Sequence, residues 1–268
     1  PMVNTEEEAE ELVRLVSSKK LLFGLTHNYT GYPMVKQARD LVREGKLGAV
    51  RKVVVEYPQG WLATLVEATG SKQAGWRTDP KQAGISSCIG DIGTHAENLA
   101  EYITGLKIVS LLADLTTFVE GRLLEDDANM LVQFENGAKG ILYASHVSGG
   151  EENNLRIRVS GTEAALEWHQ EEPNKLWVKY PNRPSELLRR GNGYIGEHAA
   201  YFTRIPSGHP EAFIEAFANL YRSFGRCIRA MLEGREPDPK DMDFPKVEDG
   251  LRGVRFIHRA VESGKNRT

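Results

Sequence analysis

Between residues 50 and 180 the chain carries seven short β-rich runs, several of them alternating apolar and polar residues, and nothing constrains its fold more. They read VRKVVVEY, KIVSLLADLTTFV, ANMLVQFENG, AKGILYASHV, LRIRVSG, AALEWHQ and LWVKY, several joined by ENG or SGTE turns. Successive side chains on a strand point to opposite faces, so an alternating run buries one face and leaves the other free. Turns built on Asn and Gly favour hairpins between neighbours. The expectation is an open, mostly antiparallel sheet of roughly six or seven strands.

Helical patterns flank these runs. From Thr5 to Lys20, Ala9, Leu12, Val13 and Val16 recur at helical spacing behind a Thr5–Glu8 capping box. LLFGL, residues 21–25, has strand length, and a second helix is expected to run to Arg43, with Gly45 as its stop. Residues 1–48 thus read helix, strand, helix, an α/β fragment. A further helix is expected near residues 91–104, and two long ones close the chain: Glu211–Leu232 behind Pro210 and Val247–Ser263 after Pro245. Residues 180–210, rich in Pro, Gly, Arg and Asn, read as a long ordered loop.

Charge narrows the function classes. With 34 Lys+Arg against 37 Asp+Glu and no basic block, the chain lacks the footprint that phosphate backbones demand, so nucleic acid is not an expected partner. No stretch reaches the ~18 to 20 apolar residues of a membrane span. The acidic opening PMVNTEEEAEE is unlike a signal peptide, which points to a cytoplasmic protein without membrane partners. Cys88 and Cys227 lie far apart and read as reduced, partly buried thiols.

Chemistry concentrates in AGISSCIGDIGTHAENLAEYITG, residues 83–105. On a helix, Ile92, Ala96, Leu99, Ala100 and Ile103 form one stripe, with Asp91 and His95 beside it at i and i+4. Spacing alone leaves open an Asp cap beside a half-buried His, a proton-transfer pair, or two metal ligands. THNYTGYP delivers His27, Asn28, Tyr29 and Tyr32 at a strand's end, where ligands gather in α/β sheets, though turn chemistry explains it equally well. YPQGW and GWRTDP place Gln59, Trp61, Trp76 and Arg77 in loops, as the wall of a sugar-sized pocket or as packing beneath those loops. His209 in SGHPEAF precedes a helix, where a surface or capping role competes with a site role. The glycines 191, 193 and 196 of GNGYIG spell a dinucleotide fingerprint but show neither the preceding apolar strand nor the opening helix its mechanism needs.

The order of these elements and motifs resembles the Gfo/Idh/MocA family of NAD(P)-dependent oxidoreductases over essentially the whole chain. PMVNTEEEAEELVRLV is similar to the segment that starts at the proline of the family's Glu-Lys-Pro motif. GDIGTH resembles its D-x-x-x-H motif, and WRTDP the stretch before it. Within the family, THNYTGYPM, GDIGTHAENLA and GHPEAF are closest to sugar dehydrogenases or reductases of the levoglucosan or anhydrosugar type.

The resemblance implies an α/β fold in which residues 1–48 are the C-terminal part of a Rossmann domain. Residues 49–268 would form an α+β substrate-binding and oligomerisation domain with a large, mostly antiparallel open sheet. It implies hydride transfer between a sugar or polyol and NAD or NADP, without a metal, in a homodimer or homotetramer formed through the sheet. His95 would exchange the substrate proton, while Asp91 would bind a neighbouring hydroxyl and orient His95. Tyr29, Gln59, Trp61, Arg77 and His209 would line the sugar pocket, with Asn28 and Trp76 toward the cofactor. The glycine fingerprint and the motif's lysine would lie ahead of Pro1. Two other readings stay open: a non-catalytic sugar-binding or oligomerisation module, and a metal-dependent isomerase or hydrolase using Asp91, His95 and another histidine.

Overall fold

A computed structural model describes residues 1–266. In chain order the elements are α1 (Glu6–Ser18), α2 (Pro33–Arg43), β1 (Lys52–Pro58), α3 (Lys72–Thr78), α4 (Pro80–Ala83) and α5 (Thr94–Thr104). Then follow β2 (Ile108–Thr116), β3 (Asp127–Phe134), β4 (Lys139–Ser145), β5 (Arg156–Ser160), β6 (Ala165–His169), β7 (Lys175–Lys179) and β8 (Glu186–Arg189). Three helices finish the chain: α6 (Glu197–Tyr201), α7 (Phe213–Leu232) and α8 (Val247–Asn266).

The strands make one sheet in the order β2-β3-β4-β1-β5-β6-β7-β8. Every neighbouring pair is antiparallel except β1 and β4, which run parallel. All seven runs seen in the sequence became strands. The eighth, β8, lies with α6 inside the stretch expected to be a loop, because four residues are too few to show a period. β8 and α6 do flank GNGYIG, against expectation. β8 is nevertheless an antiparallel edge strand, and the Gly196 N–H is spent on Gln37 Oε1 at 2.6 Å, so no phosphate cradle forms.

Alternation decides the layers. Val53, Val55 and Tyr57 of β1, Met130, Val132 and Phe134 of β3, and Leu166 and Trp168 of β6 are buried in one core with residues of α2, α5 and α8. Trp168 is fully buried, and its indole N–H donates to Pro173 O at 3.2 Å. The other face stays open. There Leu112, Leu131, Ile141, Val54, Arg158, Glu167, Trp177 and Leu187 form one continuous cross-strand row over all eight strands.

The capping box of α1 forms, with Glu8 N–H on Thr5 Oγ1 and Thr5 N–H on the Glu8 carboxylate, both at 3.2 Å. LLFGL is not a strand. It has the composition but finds no strand to pair with among the described residues; Leu25 N–H donates to Pro245 O at 2.8 Å, and Leu22 packs in a small cluster with Leu220, Cys227 and Phe244. α7 starts at Phe213 rather than Glu211, whose carboxylate is taken by Arg190 at 2.8 Å and by the Arg204 and Ile205 N–H groups at 2.7 Å. Both cysteines are free and fully buried, more so than expected. Gly31 is required by proximity: a Cβ there would overlap the Ala216 carbonyl of α7. A buried Lys36–Asp243 ion pair at 2.7 Å, joined by Arg39 and Tyr102, ties α2 and α5 to the segment before α8. No helix among the described residues is long and apolar enough to cross a membrane.

Candidate active site

The parallel pair sets where the site lies. Because β1 and β4 run the same way, with Pro58 beside Ser145, the residues that follow them emerge together at one rim, and Gln59 N–H donates to Ser145 O at 2.7 Å. Gln59 and Trp61 come from one strand end and His146 from the other. A cleft of about 400 Å³ opens there, lined by Asn28, Tyr29, Tyr57, Gln59, Trp61, Arg77, Asp91, His95, Asn153, Phe213 and Phe217 among others. Strand ends beside helix starts commonly hold ligands in sheets with helical cover.

Asp91 does not sit on a regular helix. Residues Ile89–Gly93 form a π-turn, in which Thr94 N–H reaches back five residues to Ile89 O. Glu125 anchors the turn's start, accepting from Ser86 Oγ at 2.5 Å and Ile89 N–H at 3.1 Å. The wider turn takes Asp91 out of the i, i+4 register with His95, as such turns at functional sites do. The carboxylate is held instead by Arg77 Nε at 2.6 Å and His146 Nε2 at 3.2 Å, both on Oδ2. Oδ1 takes no protein hydrogen bond among the described residues, so it is free for a ligand hydroxyl. Burial pushes the Asp91 pKa up, but His146 and then Arg77 outweigh it and bring it down to about 2.

His95 is oriented by a different residue from the one expected. Its Nδ1 stands 3.2 Å from His27 Nδ1, with the rings 5.1 Å apart and perpendicular. The Asp91 carboxylate does not bond it, so the expectation that Asp91 orients His95 is corrected by the π-turn. With Nδ1 occupied, Nε2 is the nitrogen available to the cleft. Burial, opposed by the nearby Asp91 charge, lowers the His95 pKa to about 4, so the ring is neutral near pH 7.

The remaining wall is a polar chain. Tyr29 and Tyr57 bond through their hydroxyls. Tyr57 OH and Gln59 Nε2 each donate to Asn153 Oδ1 at 2.7 Å, and Trp61 Nε1 donates to Gln59 Oε1 at 2.9 Å. The Tyr29 ring lies edge-on to His95 at 5.0 Å. Asn28 Nδ2 is buried without a partner, a donor that a carbonyl or carboxamide oxygen of a bound cofactor would satisfy.

The structure gathers Asn28, Tyr29, Gln59, Trp61, Arg77, Asp91 and His95 around one cleft. Two expected residues stand elsewhere. His209 is exposed and not among the lining residues; its backbone is tied into the loop, the N–H donating to Pro206 O and the carbonyl accepting from Arg190, which also pairs with Glu211. Trp76 lies outside the lining, with the Arg77 guanidinium 4.1 Å over its ring. Sequence reading named His27 in the THNYTGYP knot without giving it a role, and missed His146, Tyr57 and Asn153 as site residues. His146 directly follows an apolar run, a signal that could have found it; Asn153, in an irregular loop, gives none. Among the described residues no group of three or more His, Cys, Asp or Glu side chains could hold a metal ion.

Comparison with known proteins matches residues 35–167 to the GFO/IDH/MocA C-terminal domain. The uncharacterized oxidoreductase YfiI of Bacillus subtilis is 33% identical over 265 residues, 98% of this chain and 67% of that protein. A crystal structure of an inositol dehydrogenase homolog from Azotobacter vinelandii, complexed with NAD+, is 36% identical with a TM-score of 0.91, covering 98% of this chain and 68% of that one. Levoglucosan dehydrogenase of Pseudarthrobacter phenanthrenivorans is 25% identical over 214 residues, 71% of this chain and 53% of that enzyme.

Proposed function

The chain belongs to the GFO/IDH/MocA family of oxidoreductases, and from that premise we propose that it acts as an NAD(P)-dependent dehydrogenase or reductase on a sugar or sugar-like cyclic polyol. One observation carries the reading: a carboxylate oxygen of Asp91 left free by its two donors shares a cleft with a neutral His95 whose outer nitrogen is free. Such a pair suits a substrate with adjacent hydroxyls, one held and one reacting.

The nicotinamide supplies the hydride acceptor or donor. The chain's own residues handle position and proton. Asp91 Oδ1 accepts a hydrogen bond from the neighbouring hydroxyl and so fixes the ring. His95 Nε2 takes the proton of the reacting hydroxyl in oxidation and returns it in reduction. Trp61 offers an apolar face to ring C–H groups, and Gln59 and Asn153 present amides to the remaining hydroxyls. Asn28, through its unmet Nδ2, is the residue of this chain suited to meet the cofactor. Residues 1–48, which bring Asn28 and Tyr29 to the cleft, are read as the part that adjoins the cofactor.

The relatives support the coarse reading. The Azotobacter protein has also been solved with NADH and myo-inositol, and levoglucosan dehydrogenase is named for its sugar. The row that includes Leu112, Leu131, Ile141 and Trp177, each more than a third exposed, supports a homodimer or homotetramer formed through the open sheet face. Two buried free thiols suit the reducing cytoplasm. The test is nicotinamide reduction assayed across inositols, anhydrosugars and simple hexoses, with both NAD and NADP. Reduction with a cyclic polyol is expected. Saturable sugar binding without any reduction would favour the binding-module alternative.

A further inference from the structure

We propose that His27 and His95 form a two-histidine proton relay, in which the hydrogen shared between their Nδ1 atoms lets His95 serve as acid or base toward substrate without becoming an imidazolium. The proposal rests on the dehydrogenase reading above for its direction and on geometry for its parts.

Two neutral imidazoles facing each other through Nδ1, at 3.2 Å, can hold only one hydrogen in that bond. If it sits on His27, His95 carries its own hydrogen on Nε2 and can donate to a substrate oxygen. If it sits on His95, Nε2 is bare and can accept. His27 is 6% exposed, and burial followed by the neighbouring His95 holds its pKa well below the imidazole value, so both rings are neutral near pH 7. His27 Nε2 makes no hydrogen bond to protein among the described residues, whereas Nδ1 faces His95.

In polyol oxidation the substrate O–H proton passes to His95 Nε2 and the His95 Nδ1 hydrogen to His27 Nδ1. The His27 Nε2 hydrogen leaves to water, and the hydride leaves carbon for the nicotinamide. One proton enters the pair and one leaves, and reduction reverses each transfer. The benefit is physical: a site that disfavours charge on His95 never has to hold it. The position of His27 is fixed independently, since its carbonyl accepts the Thr30 N–H at 3.2 Å and Thr30 Oγ1 at 2.9 Å.

The test labels histidine with the heavy nitrogen isotope in the intact enzyme and reads the imidazole resonances with and without nicotinamide cofactor. Both His95 nitrogens are expected midway between protonated and bare values at pH 7. His27→Asn places an amide at the Nδ1 position but cannot pass a proton. It should lock His95 into one tautomer and slow turnover in both directions by roughly 10- to 100-fold. The rate dependence on heavy-water fraction should change from curved to linear. A fixed His95 tautomer in the unsubstituted protein overturns the relay, whether or not His27→Asn folds, and so does a His27→Asn protein with unchanged resonances. Resonances that move as expected in a protein that reduces no nicotinamide with any polyol would instead remove the dehydrogenase reading and leave the pairing standing.

Discussion

Arg77 of α3 holds Asp91 by one oxygen only, its Nε 2.6 Å from Oδ2, and His146, just after β4, uses that same oxygen. The second oxygen is thereby presented to the cleft. The first prediction concerns this presentation. Asp91→Asn should raise KM for a polyol and lower kcat/KM by ~10²-fold or more, since an amide cannot accept with the same strength from a hydroxyl. Steady-state kinetics with unaltered cofactor KM checks it.

The same contact makes a stability statement. The Asp91 pKa lies at about 2 when folded, against an ordinary 3.8, so its ionised form stabilises the fold at pH values above 3.8. That contribution, about 2 kcal/mol, is lost as pH falls through the folded value. Denaturant titrations of the native and Asp91→Asn proteins should differ by this amount at pH 7 and converge toward pH 2. A constant gap would contradict the pairing.

His95 gives a slope of the same sign in a higher pH window. Its pKa is held at about 4 against 6.5, so the unfolded chain gains the proton first and stability falls as pH drops from 6.5 toward 4. The activity profile carries the corresponding signature: no acid inflection near 6.5 in kcat/KM for oxidation, and a decline near 4 instead. An inflection at the ordinary imidazole value would show that His95 is not the buried base described above.

How much of this was legible beforehand follows from what local sequence encodes. Alternation is local, so seven strands could be read. The parallel pairing of β1 with β4 is set by long-range registration and could not, yet it is what brings Gln59 beside His146. The pair Asp91 and His95 was visible as a motif. Its geometry was not, because the π-turn depends on Glu125, 39 and 36 residues away from the Ser86 and Ile89 that it bonds. LLFGL and His209 failed for the same reason, dependence on distant partners: one has no strand to pair with among the described residues, and the other sits in a loop tied to the buried Arg190–Glu211 pair.

The Lys36–Asp243 pair supplies a purely structural prediction. Lys36 is fully buried, and Asp243 also bonds Arg39 and Tyr102, so Asp243→Asn leaves a desolvated cation short of its counter-charge. The loss should be about 3 to 5 kcal/mol by chemical denaturation. A shift under 1 kcal/mol would mean the ion pair is not desolvated.

The most direct test of the central claim is single-turnover hydride transfer, followed as nicotinamide absorbance, in the cofactor-loaded enzyme against its His95→Ala form, with a polyol that both bind. A rate lower by ~10² to 10⁴-fold at unchanged polyol affinity is the predicted result. Equal rates in the two proteins would contradict the assignment of proton transfer to His95.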